Sequence, residues 1–422
     1  MEGRSRLRRA ALDLSPLRAS ADFRWIWGGL AVSALGAQFS LVGVFVQITD
    51  LTGSTAAVGF TGLVWLVALI IGSLGAASVL DRWDRRTLLV VAQLGLASGS
   101  AILVLSAQMQ RPPLVLVYAG IAVLAAFSAV DGPTRTAMTP RLVGTDLIPA
   151  AQALNQVVWN STALIGPALA GLLIQQTSVA WAFGVDLASA IVMLLAVTQI
   201  HPMLPEAGAE TVGTRRQAIR EGFGYVRRNR LLRSTFVIDI IAMVFGLPRA
   251  LFTFLAVEQF ARGPEIVGFL FAAPAIGAVI GAASSGWSGH VRRQGDAVVW
   301  AVAGWGAAIV AFGLSGDRLW LGIVALALAG WADVISAIFR STIMQVVTPD
   351  HLRGRVAGIH ILVVTGGPRL GDLEAGLVAG WTTPSFSVIS GGLACIVGAW
   401  LTALAYPELR RYRARARAPA SG

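Results

Sequence analysis

Ionisable side chains inside long apolar runs are the residues of this sequence placed to do chemistry. Asp131 and Arg135 stand one helical turn apart and can neutralise one another. Asp333 and Arg340 stand two turns apart, Asp239 and Arg249 share another run, and Asp186 occupies a fourth. Arg369, Asp372 and Glu374 surround a Gly366-Gly367-Pro368 break, and Asn155 and Asn160 lie on a further run. A charge in hydrocarbon is costly, so such residues are kept for binding, for proton relay or for fixing helix packing. A structural ion pair is the competing reading for each. Proton relay needs a buried acid, and Asp131 and Asp239 are the two candidates. Asp131 has Arg135 beside it; Asp239 has no basic residue within a turn, so it stands as the lone acid unless another helix supplies a partner. Arg135, Arg340, Arg369 and Asp372 complete the candidate set.

The residue inventory excludes other chemistries. Lysine is absent and all 33 basic residues are Arg, so no Gly-x-x-x-x-Gly-Lys loop exists to bind ATP. Cys395 is the sole cysteine, which excludes a disulfide, a zinc cluster and a redox pair. His201, His290, His351 and His360 show no metal-ligand spacing. No cofactor, no metal and no enzymatic activity are expected. The net charge of +11 would suit nucleic acid only if clustered on a soluble face, whereas these arginines fall between apolar runs. No nucleic-acid partner is expected.

The elements that hold these charges follow from composition. Hydrophobic residues make up 55% and charged residues 13%, about half the charged share of a soluble domain. Mean hydropathy is +0.70, and lipid is the expected solvent. A helix needs roughly 20 apolar residues to cross the hydrocarbon, and only helices and closed barrels satisfy their backbone there. The apolar runs give twelve spans: 24–48, 55–80, 86–108, 113–139, 147–176, 179–200, 233–259, 265–289, 296–315, 318–346, 353–380 and 384–406. The first is too long for a signal-peptide core and is expected to be retained.

Arginine placement orients them. With the N-terminus cytoplasmic, 26 arginines fall in inside segments and three, Arg111, Arg262 and Arg318, in outside loops. Both termini are therefore expected in the cytoplasm of a bacterial cell, with the chain in its inner membrane. Between spans 6 and 7 lies the longest break, 201–232. Thr214-Arg-Arg-Gln217 has a capping-box pattern, and Ile219, Phe223 and Val226 recur at helical spacing opposite Arg216, Arg220 and Arg227. An amphipathic helix on the inner membrane face is expected. Residues 407–422 read as a basic cytoplasmic tail, disordered from Arg410 onward.

The two halves are one repeat. Gly75-Ala-Ala-Ser78 in span 2 recurs as Gly281-Ala-Ala-Ser284 in span 8, each followed by a basic doublet, Arg85-Arg86 and Arg292-Arg293. Gly166-Pro-Ala-Leu169 recurs as Gly367-Pro-Arg-Leu370, and Arg135 as Arg340. The offsets of 206, 201 and 205 residues pair span n with span n+6. The expected architecture is an all-α membrane protein with two homologous six-helix halves, 1–200 and 233–406. Parallel duplicated halves place a substrate path at their interface and rock about it.

At the end of span 2 the chain reads Ala77-Ser-Val-Leu-Asp81-Arg82-Trp-Asp84-Arg85-Arg86. This resembles the loop 2–3 signature of the major facilitator superfamily, Gly-x-x-x-Asp-Arg-x-Gly-Arg-Arg, with Ala77 and Asp84 replacing its glycines. The resemblance covers nearly the whole chain and implies a gating role for Asp81, Arg82, Arg85 and Arg86. In the superfamily the acid sits near the N-terminus of span 11, whose dipole attracts a carboxylate. The arginines would pair with acids and lipid phosphates; positive-inside anchoring is the plainer alternative. Gly166-Pro167-Ala-Leu-Ala-Gly171 looks like the Gly-Pro-x-x-Gly-Gly motif of the superfamily's antiporters, with Ala170 in place of a glycine. Close helix packing would explain Gly166, Pro167 and Gly171 equally well.

A narrower resemblance rests on Asp81-Arg-Trp-Asp-Arg85, Glu221-Gly-Phe-Gly-Tyr-Val-Arg-Arg228, the span 11 segment Gly366 to Gly376, and Pro407-Glu-Leu-Arg-Arg-Tyr412. These look like the enterobactin-exporter branch, whose members extrude siderophores and, in some relatives, drugs such as macrolides. The resemblance implies a secondary active transporter that couples protons to efflux of a medium-sized amphipathic molecule, a siderophore or an antibiotic. Its expected partners are that substrate, protons and the lipid bilayer, and it is expected to be a monomer. A solute importer on the same fold is the first alternative. A non-transporting receptor or assembly factor is the second, disfavoured by the buried charges and the span 11 break.

Overall fold

The computed structural model describes the backbone of residues 13–79, 83–203 and 215–413, and the side chains of 13–76, 83–203 and 220–413. All regular structure among them is helical. Spans 1 to 6 are Ala21–Thr52, Thr55–Val79, Arg85–Gln108, Leu114–Val143, Ile148–Gln176 and Val179–Thr198. Span 7 starts at Arg230–Phe245, and spans 8 to 12 are Pro264–Ala283, Gln294–Gly313, Leu319–Val347, Asp350–Trp381 and Pro384–Ala405. Eleven of these segments are long and apolar enough to cross a membrane. Span 11 is the twelfth, long enough at 32 residues but less apolar because its charges lie along it.

Local sequence fixes the helix ends. The Asp84 carboxylate accepts the Thr87 N–H at 3.1 Å and so caps span 3. Thr383 caps span 12 by accepting the Phe386 N–H at 3.2 Å. Gly144, at φ +75°, ends span 4 in a conformation that a side chain would strain. Spans 4, 5, 8 and 11 absorb internal prolines at Pro133, Pro140, Pro167, Pro274 and Pro368.

Span 7 does not behave as the single run expected over 233–259. Its α-helix stops at Phe245, and the chain resumes as 3-10 and π turns over Arg249–Leu251 and Leu255–Gln259. Gly246 and Pro248 cause the break, because proline removes a donor and restrains the residue before it. Span 8 likewise ends at Ala283, short of the expected 289, and continues as a 3-10 turn over Ser285–His290.

Packing divides the chain into two compact units, 1–51 with 64–207 and 52–63 with 208–422. The first three turns of span 2 thus pack with the second unit. Within the units the repeat is visible as repeated helix pairs. Span 2 lays Gly72 on Ala126 of span 4, and span 8 lays Gly277 on Ala327 of span 10. Gly29 of span 1 meets Met193 of span 6, as Gly398 of span 12 meets Ile241 of span 7. Gly166 of span 5 rests on Gln38 of span 1, and Gly367 of span 11 on Met243 of span 7. Each close approach needs a residue without a Cβ.

The linker helix forms over Arg215–Arg228. Thr214 lies outside the described residues, as does the Ile219 side chain. Val226 is buried against Phe236 and Val356, whereas Phe223 stays exposed. Tyr225 donates to the Val347 carbonyl at 3.1 Å, and Glu221 pairs with Arg355. The helix is therefore docked on spans 7, 10 and 11 through one edge of its apolar face. The start of the expected tail is also ordered: Pro407–Arg411 is a helical turn, held by Arg230 to Glu408 at 2.9 Å and Arg410 to Asp296 at 3.3 Å. Local ion pairs tie it down as far as Arg411; residues 414–422 lie outside the described ones.

Candidate functional site

Asp239 of span 7 lies in the dry centre of the second unit. Its Oδ1 is 2.5 Å from Arg340 Nη1 of span 10, and its Oδ2 is 3.3 Å from His360 Nε2 of span 11. Arg340 Nη2 also faces Asp333 at 3.6 Å. The side chains of Asp239 and Arg340 are 1% and 5% exposed, those of Asp333 and His360 35% and 26%. The four groups thus form a row of neighbouring side chains with a dry middle and two wetter ends. The Phe236 ring meets His360 edge-on, with centroids 6.1 Å apart. A cavity of about 10 Å³, one water probe in size, lies among Thr235, Phe236, Asp239, Arg340, Met344 and His360.

Asp239 is therefore not the lone acid that its own span suggests. The repeat explains why. In the first half Arg135 pairs with Asp131 one turn back, at 2.5 Å. The residue 205 positions on from Asp131 is Ser336, so Arg340 has no acid a turn back and reaches across to span 7. Asp239 in turn corresponds to Ala34, and the first half holds no counterpart of it. The equivalent arginines are neutralised by different partners, within one helix in the first unit and between helices in the second.

A second charge cluster in the same unit is set by the break in span 7. The 3-10 turn after Pro248 carries Arg249 to Asp372 of span 11, at 3.2 Å. Arg369 faces the same carboxylate at 3.9 Å, so one fully buried acid serves two arginines. Gly59 and Gly62 of span 2 close over this point. A Cβ on Gly59 would meet the Asp372 carbonyl at 2.6 Å, and one on Gly62 the Asp372 Cβ at 3.2 Å. Thr55 donates to the Gly376 carbonyl a turn further on, at 3.0 Å.

In the first unit Asp131 is held by Arg135 and by the Gln93 amide, which donates at 2.8 Å. Asp186 has no basic partner among the described residues. Its Oδ2 accepts from Ser40 at 2.6 Å and Ser100 at 2.7 Å. The acid is legible as a charge inside an apolar run, but its partners are not, because hydroxyls on spans 1 and 3 supply them.

Of the loop 2–3 signature, Asp81 and Arg82 lie outside the described residues. Arg85 donates to the Ala137 carbonyl at 2.6 Å and Arg86 to the Val197 and Thr198 carbonyls at 3.3 and 2.6 Å. Among the described residues neither pairs with an acid: Arg85 reaches a carbonyl inside span 4 and Arg86 the last two carbonyls of span 6. Gly166, Pro167 and Gly171 are all buried on span 5.

Twelve membrane helices among the described residues, in two repeated sets of six and each set with charge pairs buried within it, define a multi-pass membrane transporter of the major facilitator class. The chain belongs to the transmembrane secretion effector family of that superfamily, whose pattern it matches over residues 11–420. The enterobactin exporter EntS of Shigella boydii serotype 18 is 29% identical over 404 residues, covering 95% of this chain and 96% of that protein. EntS of Escherichia coli O139:H28 matches at the same identity and coverage. Among solved structures, a bacterial homologue of the human lysosomal transporter Spinster, inward-facing and unoccupied, superposes with a TM-score of 0.70 at 13% identity, covering 94% of this chain and 99% of that one. The nucleoside transporter NupG gives a TM-score of 0.69 at 13% identity, covering 92% and 99%. These likenesses show the fold. With family and relatives that are transporters along nearly its whole length, the chain is a transporter of a small molecule and not an enzyme.

Proposed function

We propose that this transporter exports a medium-sized amphipathic molecule of the siderophore type, or an antibiotic, by proton-coupled alternating access. Similarity to enterobactin exporters along nearly the whole chain supports the substrate class and the outward direction. The halves 1–200 and 233–406 are the moving bodies and 201–232 joins them. A single chain holds both halves, so a monomer suffices. Both termini face the cytoplasm of a bacterial cell, as the arginine asymmetry favours.

The observation that carries proton coupling is the Asp239–Arg340 pair, with Asp333 and His360 at its ends. An ionised Asp239 holds Arg340. A proton taken up on Asp239 leaves the guanidinium to Asp333, which is already in range. The site thus has two arrangements of near-equal charge balance that differ by one proton. Arg355 and Glu221, one turn from His360 toward the linker helix, neutralise one another. Asp131 with Arg135 is the alternative coupling pair, and Arg369 and Asp372 join the substrate path. Asp81, Arg82, Arg85 and Arg86 form the gate, and Gly166, Pro167 and Gly171 the flexible packing of span 5.

Inverted membrane vesicles with an acidic lumen test this directly. Radiolabelled enterobactin should accumulate in vesicles carrying the protein and cease to do so when the gradient is collapsed. Accumulation only in right-side-out vesicles would make the chain an importer. Uptake indifferent to the gradient would remove proton coupling.

A further inference from the structure

Spans 1 and 6 leave between them a groove of about 820 Å³, lined by Trp25, Gly28, Val32, Val192 and Leu195, with Arg24 at one end. That volume is in the range of specific ligand sites, roughly 300–1,000 Å³. Its floor exists because position 28 lacks a side chain: a Cβ there would meet nothing within 4 Å. One residue on, Gly29 packs against Met193 and holds the two spans together below the opening. The groove runs from Arg24 to Val32, about 12 Å of helix. It is thus shorter than one leaflet of the hydrocarbon, about 15 Å.

Charge at the Arg24 end is one-sided. Arg24 donates to the Leu17 carbonyl at 2.9 Å, and no carboxylate pairs with it among the described residues. The neighbouring acid, Asp22, is already taken by His201 through its backbone N–H at 3.2 Å and its Nδ1 at 3.0 Å. Arg86 covers the carbonyls at the end of span 6. Trp25 beside the guanidinium is 51% exposed, as suits an aromatic ring at the headgroup level. An apolar slot closed at one end by an uncompensated guanidinium calls for an anion with a hydrocarbon tail.

We propose that this groove is a binding site for one anionic phospholipid of the phosphatidylglycerol type. Its phosphate rests on Arg24, and the upper part of one acyl chain lies over Gly28 between spans 1 and 6. A zwitterionic headgroup fits less well, because the neighbouring acid, Asp22, already holds two nitrogens of His201 on its Oδ2. The site does not depend on which leaflet holds this end of span 1.

Native mass spectrometry of the full chain tests it, with phosphatidylglycerol and phosphatidylethanolamine of the same acyl chains added in turn. Wild type should retain phosphatidylglycerol about fivefold better, the ratio expected for one arginine at the membrane surface. R24Q should lose that preference while retaining phosphatidylethanolamine as before. R262Q, in the loop before span 8, should keep it. G28L fills the slot from a Cβ that meets nothing within 4 Å and improves helix propensity, so it should unfold no earlier than wild type without lipid yet lose the bound phosphatidylglycerol. Equal retention of the two lipids by wild type would overturn the proposal. So would a preference that survives R24Q and G28L, which would mean ordinary annular lipid or another occupant of the groove.

Discussion

Arg340 of span 10 and Asp239 of span 7 meet at 2.5 Å where neither is open to water, and Arg340 alone faces a second acid, Asp333 at 3.6 Å. The two partners are therefore unequal. Removing Asp239 leaves the guanidinium with Asp333; removing Arg340 leaves two carboxylates with only His360 beside one of them. Breaking a buried pair costs about 3–5 kcal/mol when a charge is left uncompensated. R340Q should approach that cost and D239N should fall well below it. Thermal unfolding in detergent measures the order, and an equal loss in the two variants would mean that Asp333 does not share the arginine.

The glycines of span 2 give a second expectation. G62A pushes a methyl into the span 11 backbone at Arg369 and Asp372, where overpacking costs about 1–3 kcal/mol. G75A meets nothing within 4 Å and should be neutral or slightly stabilising. Transport should fall in G62A and persist in G75A, with both inserted in the membrane. Full transport by G62A would show that the approach of spans 2 and 11 is not needed for activity.

Much of this architecture is legible in the amino-acid sequence. The spans follow from hydropathy, the duplication from three matched segments, and the Asp131–Arg135 pair from its spacing of four. Partners distant along the chain are not legible in the same way. Asp239 looks alone on its own span because Arg340 and His360 lie on spans 10 and 11, and no local pattern joins them. The repeat holds a clue, since Ser336 stands where an acid would serve Arg340. The break in span 7 is hidden because hydropathy continues through Gly246 and Pro248. Asp186 stands out as an acid in an apolar run, but its partners, Ser40 and Ser100, leave no charge pattern to find.

Orientation is open to a labelling experiment that the sequence makes convenient. Cys395 is fully buried, so background reaction with an impermeant thiol reagent should be slight. Cysteines placed at Arg111 or Asp317 should react from outside intact cells, and one at Arg228 only after the membrane is opened. Reversed labelling would invert the arginine-based topology and exchange the two ends of every span.

The hydroxyl-held acid of the first unit gives a contrast. The Asn oxygen in D186N can still accept from Ser40 and Ser100, so the variant should fold and transport nearly as wild type. D186A strands the buried Ser40 hydroxyl at about 1–3 kcal/mol, whereas Ser100 keeps the Leu96 carbonyl at 3.1 Å as an acceptor. Its melting temperature should drop several degrees below that of D186N; identical stabilities would show that water satisfies Ser40.

Gradient-driven accumulation of enterobactin in inverted vesicles, compared between wild type and D239N, bears most directly on proton coupling at the Asp239–Arg340 pair. D239N should lose accumulation driven by an acidic lumen, because its amide can no longer alternate between holding Arg340 and holding a proton. It should keep exchange of labelled for unlabelled enterobactin, which needs no net proton movement. D131N should retain most of the driven accumulation. Full gradient-driven accumulation by D239N would contradict proton coupling at this pair and move the search to Asp131 and span 11.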